Sequence, residues 1–505
     1  MHARTVTNPA LDSKAATLDE AMALEAAGRW EDARKLYEHC HEADPFTRDL
    51  NAVMQELRCS INLCYWHRYE HLQRILMHAV DNGGYVLGET SVASPVLSGS
   101  RLRQCAQRAA VAHTRAARTA VPAFESVGQF ESNRTAGRLK VGFLGCDFAN
   151  QATSYLMVGL IEEHDREAFE YIAFDFGHAS EGDSLRQRIK VAFDRFHHVA
   201  ELDNGELAAY IARQNIDVLL FLKGPTDARC GVLARRPAPV QFAYLYYPAT
   251  FGGSLVDGII ADDIVVPKEL ESNYSEAVVR LPRCYQPNDA RRPLPVRVSR
   301  EEVGLPSDAF VLANFGQAWK ITPGMFDLWC ALLRRYPTCV LWLLDFCEST
   351  VCNLRNEAAI RGVKPERLIF GPFENSQRHL SRLTCADLML DTSPYGGHTG
   401  TSDALWAGVP VVTLSAETFA SRVAASLLHA VGLDQLVASS AEEYVRIVSG
   451  LLEQPERVNV LKAHLNKGRT EFQLFDSRGY ARDFEAMLRT VVTVPAHSTS
   501  LSAGV

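Results

Sequence analysis

The chain has 505 residues, 47 % apolar and 22 % charged, a balance that suits a globular protein of about three folding units and excludes a disordered or fibrous one. With 52 Lys and Arg against 60 Asp and Glu, the net charge of -8 repels a phosphate backbone, so nucleic acid is not an expected partner. Residues 409–433, the longest apolar stretch, are interrupted by Glu417, Arg422 and His429 and do not suit a membrane span, and residues 1–9 lack the apolar run of a secretory signal, so a cytoplasmic protein is expected.

In chain order, residues 18–27 and 31–43 read as two short amphipathic helices broken at Gly28-Arg29-Trp30. Gly28, Trp30, Ala33, Tyr37 and the closing Asp44-Pro45 fall at the spacing of the second half of a tetratricopeptide repeat. Only one such repeat is found, and a lone repeat does not bury its apolar face. The hairpin is therefore expected to cap or pair with the helices predicted at 51–78 and 100–119.

After residue 139, β-branched runs alternate with helical stretches. Strands are expected at 140–144, 171–174, 218–222, 240–245 and 258–260, and helices at 184–193 and 206–214. A polar, Pro-rich connector over 286–306 precedes a second series with strands at 310–314, 340–344, 367–370, 388–390 and 411–414. Behind Pro323, the residues Met325, Leu328, Trp329 and Leu332 recur at helical spacing, and further helices are expected at 442–452, 457–467 and 479–488. The rhythm predicts an α/β fold of two parallel-sheet lobes whose ligands bind at the carboxyl ends of the strands, in the cleft between them. The domains expected are a helical hairpin over 1–60, a helical linker region over 61–137, a first lobe over 138–290, a second over 291–492 and a disordered tail over 493–505. Twelve cysteines stand at irregular spacing with no Cys-x-x-Cys, which predicts buried thiols and neither a zinc knuckle nor a disulfide scaffold.

The stretch 386–410 carries the most chemistry and reads as strand, glycine-rich loop, helix, turn and strand. Gly396, Gly397 and Gly400 let backbone amides approach an anion, and a helix starting near Thr401 adds its positive end, which suits a diphosphate. His398 and Thr399 are placed to donate to phosphate oxygens and Asp403 to accept from a ribose hydroxyl; the alternative is an ordinary βα turn. Lys320, at the carboxyl end of the second lobe's first strand, reads either as a cation that neutralises a departing diphosphate or as a solvated lysine heading a helix. In the first lobe, Asp147 reads as a helix cap, with a base as the alternative, and Tyr246 and Tyr247 as packing or acceptor-lining residues. No metal-ligand spacing is present, so a leaving diphosphate would be met by Lys320 and backbone dipoles.

Several segments, in order and spacing, resemble the catalytic region of the O-linked N-acetylglucosaminyltransferase/SPINDLY glycosyltransferases, glycosyltransferase family 41, in which tetratricopeptide repeats precede a two-lobed GT-B fold. They include Asp147-Phe148, Arg236-Pro237-Ala238-Pro239-Val240-Gln241, Phe315-Gly316-Gln317-Ala318-Trp319-Lys320, Gly397-His398-Thr399 and Leu405-Trp406-Ala407-Gly408-Val409-Pro410. The resemblance implies an inverting, metal-independent transfer of a sugar from a nucleotide donor, first of all UDP-N-acetylglucosamine or another UDP-hexose, to Ser or Thr of a protein or peptide acceptor, with no cofactor. It assigns Lys320 as the essential diphosphate contact, Gln317 to the nucleotide pocket, His379 and Arg382 to the base and ribose, Gly397, His398 and Thr399 to the diphosphate and Asp403 to the ribose. On the acceptor side Asp147, Gln151, Tyr155, Tyr246 and Tyr247 are the candidates. Gln151 and Pro225 stand where relatives carry histidines, and Tyr246-Tyr247-Pro248-Ala249-Thr250 replaces Gly-Tyr-Pro-Gly-Thr. The general base is left open among a donor phosphate oxygen, a water held by Asp147 and a tyrosine. GDP-fucose or Asn-linked transfer, and a nucleotide-binding scaffold with impaired catalysis, are the alternatives.

Overall fold

Residues 9–42, 50–119, 137–178, 180 and 182–493 are described by a computed structural model. The helices Pro9–Ala26 and Trp30–Glu42 turn on Gly28, at φ 74°, and close on Ala21, Ala33, Tyr37 and on Cys59 of a third helix, Leu50–Asn62. The Tyr37 hydroxyl donates to Glu25 Oε2 at 2.9 Å and Glu25 pairs with Arg58 of the third helix, so the single repeat is completed by the helix that follows it. Asp44-Pro45 and the tail beyond residue 493 lie outside the described residues; residue 493 ends the last helix.

The helix expected over 51–78 is two, Leu50–Asn62 and Tyr69–Asp81, parted at Cys64 with φ 48°. The cause is tertiary. The Asn62 and Leu63 carbonyls accept from Thr350 Oγ1 at 3.1 Å and Asn353 Nδ2 at 2.9 Å in the second lobe, and Trp66 packs 5.3 Å from Phe326. Carbonyls freed at a helix end are thus satisfied by the lobe on which the helix docks.

The first sheet comprises β1 (Leu139–Gly145), β2 (Phe169–Asp175), β3 (Arg195–His198), β4 (Val218–Phe221), β5 (Val240–Ala243), β6 (Gly258–Ala261) and β7 (Ala277–Arg280) in the order β3-β2-β1-β4-β5-β6-β7. The second comprises β8 (Phe310–Asn314), β9 (Cys339–Leu344), β10 (Leu368–Gly371), β11 (Leu388–Leu390), β12 (Val411–Leu414) and β13 (Val437–Ala438) in the order β10-β9-β8-β11-β12-β13. Pairing is parallel throughout both sheets. Strand order reverses beside β1 and beside β8, so the loops leaving these strands open the crevice where a ligand sits. Buried on both faces, β4 and β9 are continuous apolar runs.

The chain crosses between lobes twice. The connector after β7 runs outward, and the last helix, Ser477–Thr493, returns to the first lobe. There Phe484 packs 5.2 Å from Tyr244, and the Tyr244 and Tyr480 hydroxyls lie 2.7 Å apart. Arg283 binds Asp483 at 2.5 Å and Asp476 at 3.2 Å across the same seam. Helix 479–488, drawn in sequence with the second lobe, therefore supplies core to the first. Phe484→Ala is expected to cost about 3–5 kcal/mol of stability, the usual penalty for emptying a fully buried aromatic site, read as a lowered denaturant midpoint.

Candidate active site

A cavity of about 600 Å³ occupies the cleft at the carboxyl ends of the strands. The second lobe lines it with Phe315, Gln317 and Lys320 after β8, Ser376 and His379 of the helix Ser376–Leu383, and the loop after β11. The first lobe adds Asn150, Tyr155, Tyr246 and Tyr247, and the helical region adds Glu89.

The glycine-rich loop is shaped by Asp391, which follows β11 and is buried. Its Oδ1 accepts from the Gly397 amide at 2.6 Å and its Oδ2 from Thr413 Oγ1 at 2.6 Å; burial raises the carboxyl above the ordinary range. A Cβ on Gly397 would lie 2.4 Å from Thr401 Oγ1, and one on Gly396 would lie 2.9 Å from Asp391 Oδ2, so the turn admits only glycine at both positions. The amides of Gly396 and Gly397 do not face an anion, as expected from sequence: they donate to the Ala420 carbonyl and to Asp391. Gly400 is exposed and a Cβ there meets nothing within 4 Å, so close approach does not explain that glycine. Helix Thr399–Trp406 starts two residues earlier than predicted. Its first residues, Thr399, Gly400 and Thr401, whose amides have no intrahelical acceptor, line the cavity.

Lys320 is the cation of this site. Its Nζ donates to the Gly396 carbonyl at 2.9 Å and lies 4.2 Å from the centre of the Tyr395 ring. Burial pushes it down to about 8, opposed by Asp391 and Glu89. The solvated-lysine alternative does not describe it. His398 stacks on Tyr395 at 4.9 Å with Nε2 3.4 Å from the Ala420 carbonyl. Burial, with Lys320 nearby, holds it well below the histidine range, so the ring is neutral. A neutral ring has one N–H, assigned here to Nε2 by that hydrogen bond, which leaves Nδ1 as an acceptor and not a phosphate donor.

At the other end of the cavity His379 lies 5.5 Å from Phe315, and burial lowers it below its ordinary value. Arg382 is buried behind it and does not line the cavity. Its guanidinium stacks 4.4 Å from Phe315 and its Nη2 lies 3.1 Å from His379 Nδ1, so it positions those two rings. Asp403 lines the cavity but is already paired with Arg292, while its other oxygen faces His379 Nε2 at 3.8 Å. Gln317 is exposed at the rim.

On the opposite wall Asp147 is not a cap. Helix Ala152–Glu162 begins at Gln151 with no side-chain capping bond, and Asp147 accepts from Lys223 Nζ at 3.1 Å through both oxygens. It lies outside the cavity lining, as does the exposed Gln151. Tyr155 donates to Asn150 Oδ1 at 2.8 Å, and the Tyr246 ring lies 4.1 Å from Lys223 Nζ. Tyr247 is pushed above the tyrosine range by burial and packs beside Val92.

Sequence reasoning missed Asp391, Arg292 and Glu89. For Asp391 a signal existed, a carboxylate ending an apolar strand; Arg292 and Glu89 acquire meaning only through contacts far along the chain. Among the described residues no three His, Cys, Asp or Glu side chains gather to hold a metal, and no helix is long and apolar enough to cross a membrane.

Two parallel-sheet lobes facing a cleft, with a glycine-rich turn and a half-buried lysine lining it from the second, define the GT-B class. Within it, the chain belongs to glycosyl transferase family 41, whose pattern matches residues 63–296 and 288–484. It is 34 % identical over 380 residues to the probable UDP-N-acetylglucosamine-peptide N-acetylglucosaminyltransferase SEC of Arabidopsis thaliana, covering 73 % of this chain and 39 % of that one. To the corresponding probable transferase SPINDLY of Oryza sativa it is 27 % identical over 368 residues, covering 70 % and 39 %. The chain thus spans about two fifths of the length of these curated relatives. A mutant O-GlcNAc transferase of Thermobaculum terrenum superposes with a TM-score of 0.66 at 25 % identity, covering 96 % of this chain and 99 % of that one.

Asp391→Ala strands the buried Gly397 amide and Thr413 hydroxyl and is expected to cost about 2–4 kcal/mol, whereas Asp391→Asn, which can still serve both, costs less than half as much. Equal losses in denaturant melts would show that charge, not hydrogen bonding, holds the loop.

Proposed function

We propose that the chain transfers a sugar from a UDP-linked donor, N-acetylglucosamine first, to Ser or Thr hydroxyls of a protein. The observation that carries this reading is Lys320, a lysine depressed by burial, set beside a loop that already satisfies itself and a helix whose first residues line the same cavity. Charge developing on a departing diphosphate would meet the ammonium and the helix start in a poorly hydrated space, where such contacts count for most. The aromatic end, Phe315 and His379, offers a flat apolar wall for a base, and the named relatives are peptide N-acetylglucosaminyltransferases. The transfer proceeds without metal or cofactor in this reading, and with inversion, the acceptor entering opposite the diphosphate. Twelve free cysteines fit a reducing, cytoplasmic setting.

In calorimetric titration UDP is expected to bind more tightly than GDP, and Lys320→Ala to weaken UDP by about tenfold to a hundredfold, the worth of one charge-assisted contact. A preference for GDP would move the donor to a guanosine-linked sugar; no binding of either would leave a scaffold. The proton balance gives a second check. Burial brings Lys320 down to about 8, and a diphosphate beside it favours the charged form, so binding should take up protons near that pH and weaken as pH rises through it. Titration in two buffers of different ionisation enthalpy measures the uptake; equal heats would remove Lys320 from the diphosphate.

A further inference from the structure

We propose that Glu89, delivered into the cleft by the helical region, is the base that takes the proton from the acceptor hydroxyl. The inference rests on the transferase reading above and names a residue for the step that reading leaves unassigned. Glu89 opens the short helix Glu89–Val92 just after Gly88, whose φ of 84° turns the chain into the cleft. The segment is pinned there: Ser91 Oγ donates to the Gly88 carbonyl at 2.7 Å, and Val92 packs with Tyr247 and Ala249 of the first lobe and Ala420 of the second.

The other carboxylates near the cavity are committed. Asp147 is paired with Lys223 and stands outside the lining; Asp391 holds the glycine loop; Asp403 is paired with Arg292. Glu374 lines the nucleotide end and accepts from Arg378 at 2.8 Å. His398 is neutral, with its basicity suppressed by burial. The Glu89 carboxylate lines the same cavity, exposed, with no hydrogen bond or ion pair to it among the described residues. The titratable groups that face it are Lys320 after β8, Tyr395 of the glycine loop and Tyr246 of the first lobe, with the Lys223–Asp147 pair beyond Tyr246. A free carboxylate in the same cavity as the diphosphate-side lysine offers the proton acceptor that an in-line displacement needs. The acceptor oxygen bonds to the anomeric carbon as the carbon–oxygen bond to the diphosphate breaks. The hydroxyl proton passes to Glu89, and the electron pair leaves with the diphosphate beside Lys320.

The test compares the whole chain with Glu89→Gln and Glu89→Asp. Each is titrated with UDP, then assayed for UDP release from UDP-N-acetylglucosamine with water as acceptor, across acid to neutral pH. UDP binding is expected to persist in all three, with a shift of a few-fold at most in the Gln variant, where the charge that supports Lys320 is lost. Release is expected to fall by about 10²-fold or more in the Gln variant, with loss of the acid limb of the pH profile and partial recovery in the Asp variant. A Gln variant that keeps the wild-type rate and acid limb overturns the proposal, and so does a wild-type chain that binds UDP yet releases none at any pH. Failure of the wild-type chain to bind UDP would instead overturn the donor-site reading on which the proposal stands.

Discussion

A half-buried ammonium group, with one carbonyl oxygen and the face of a tyrosine for company, is the constraint that organises this cleft. Left alone, Lys320 would shed its proton or turn outward to solvent. It does neither, because the Gly396 carbonyl is fixed by a turn that two glycines and the Asp391 carboxylate allow no freedom. The carboxylate is itself buried at the end of β11 and offsets part of the lysine's desolvation. Burial and the Asp391 carboxylate thus act on the same ammonium in opposite directions, the first lowering and the second raising its hold on a proton.

The sequence was a good guide where the structure is decided locally. The predicted bounds of β8, β11 and β12 coincide with those observed, because each is a short apolar run between turn residues. Edge strands β3 and β7 escaped notice, being half-buried and partly polar, and so did the helix Ala152–Glu162, which is apolar nearly all round and lacks a clear periodic face. The break at Cys64 could not be read either, since it depends on Thr350 and Asn353 donating to the carbonyls of a docked helix end.

The same division runs through the site. A glycine-rich turn and a lysine at a strand's end are local patterns, and the structure brings Lys320, His398, Thr399 and Asp403 to one cavity. Which atoms they offer is a tertiary matter. The glycine amides face inward, Asp403 arrives already bound to Arg292 of the connector, and Arg382 works through His379 and Phe315. On the opposite wall the candidates fared less evenly, with Asp147 locked to Lys223 and Gln151 outside, while a helical segment read only as linker supplies Glu89 to the cavity.

The last helix gives the fold a topological property of its own. Because its 17 residues belong in sequence after the second lobe yet complete the core of the first, the two lobes are not separable modules. A chimera that exchanges the first lobe between relatives at the connector alone would join one partner's sheet to the other's closing helix. Recombination among such chains, natural or engineered, is thereby confined to exchanges that carry both crossings together.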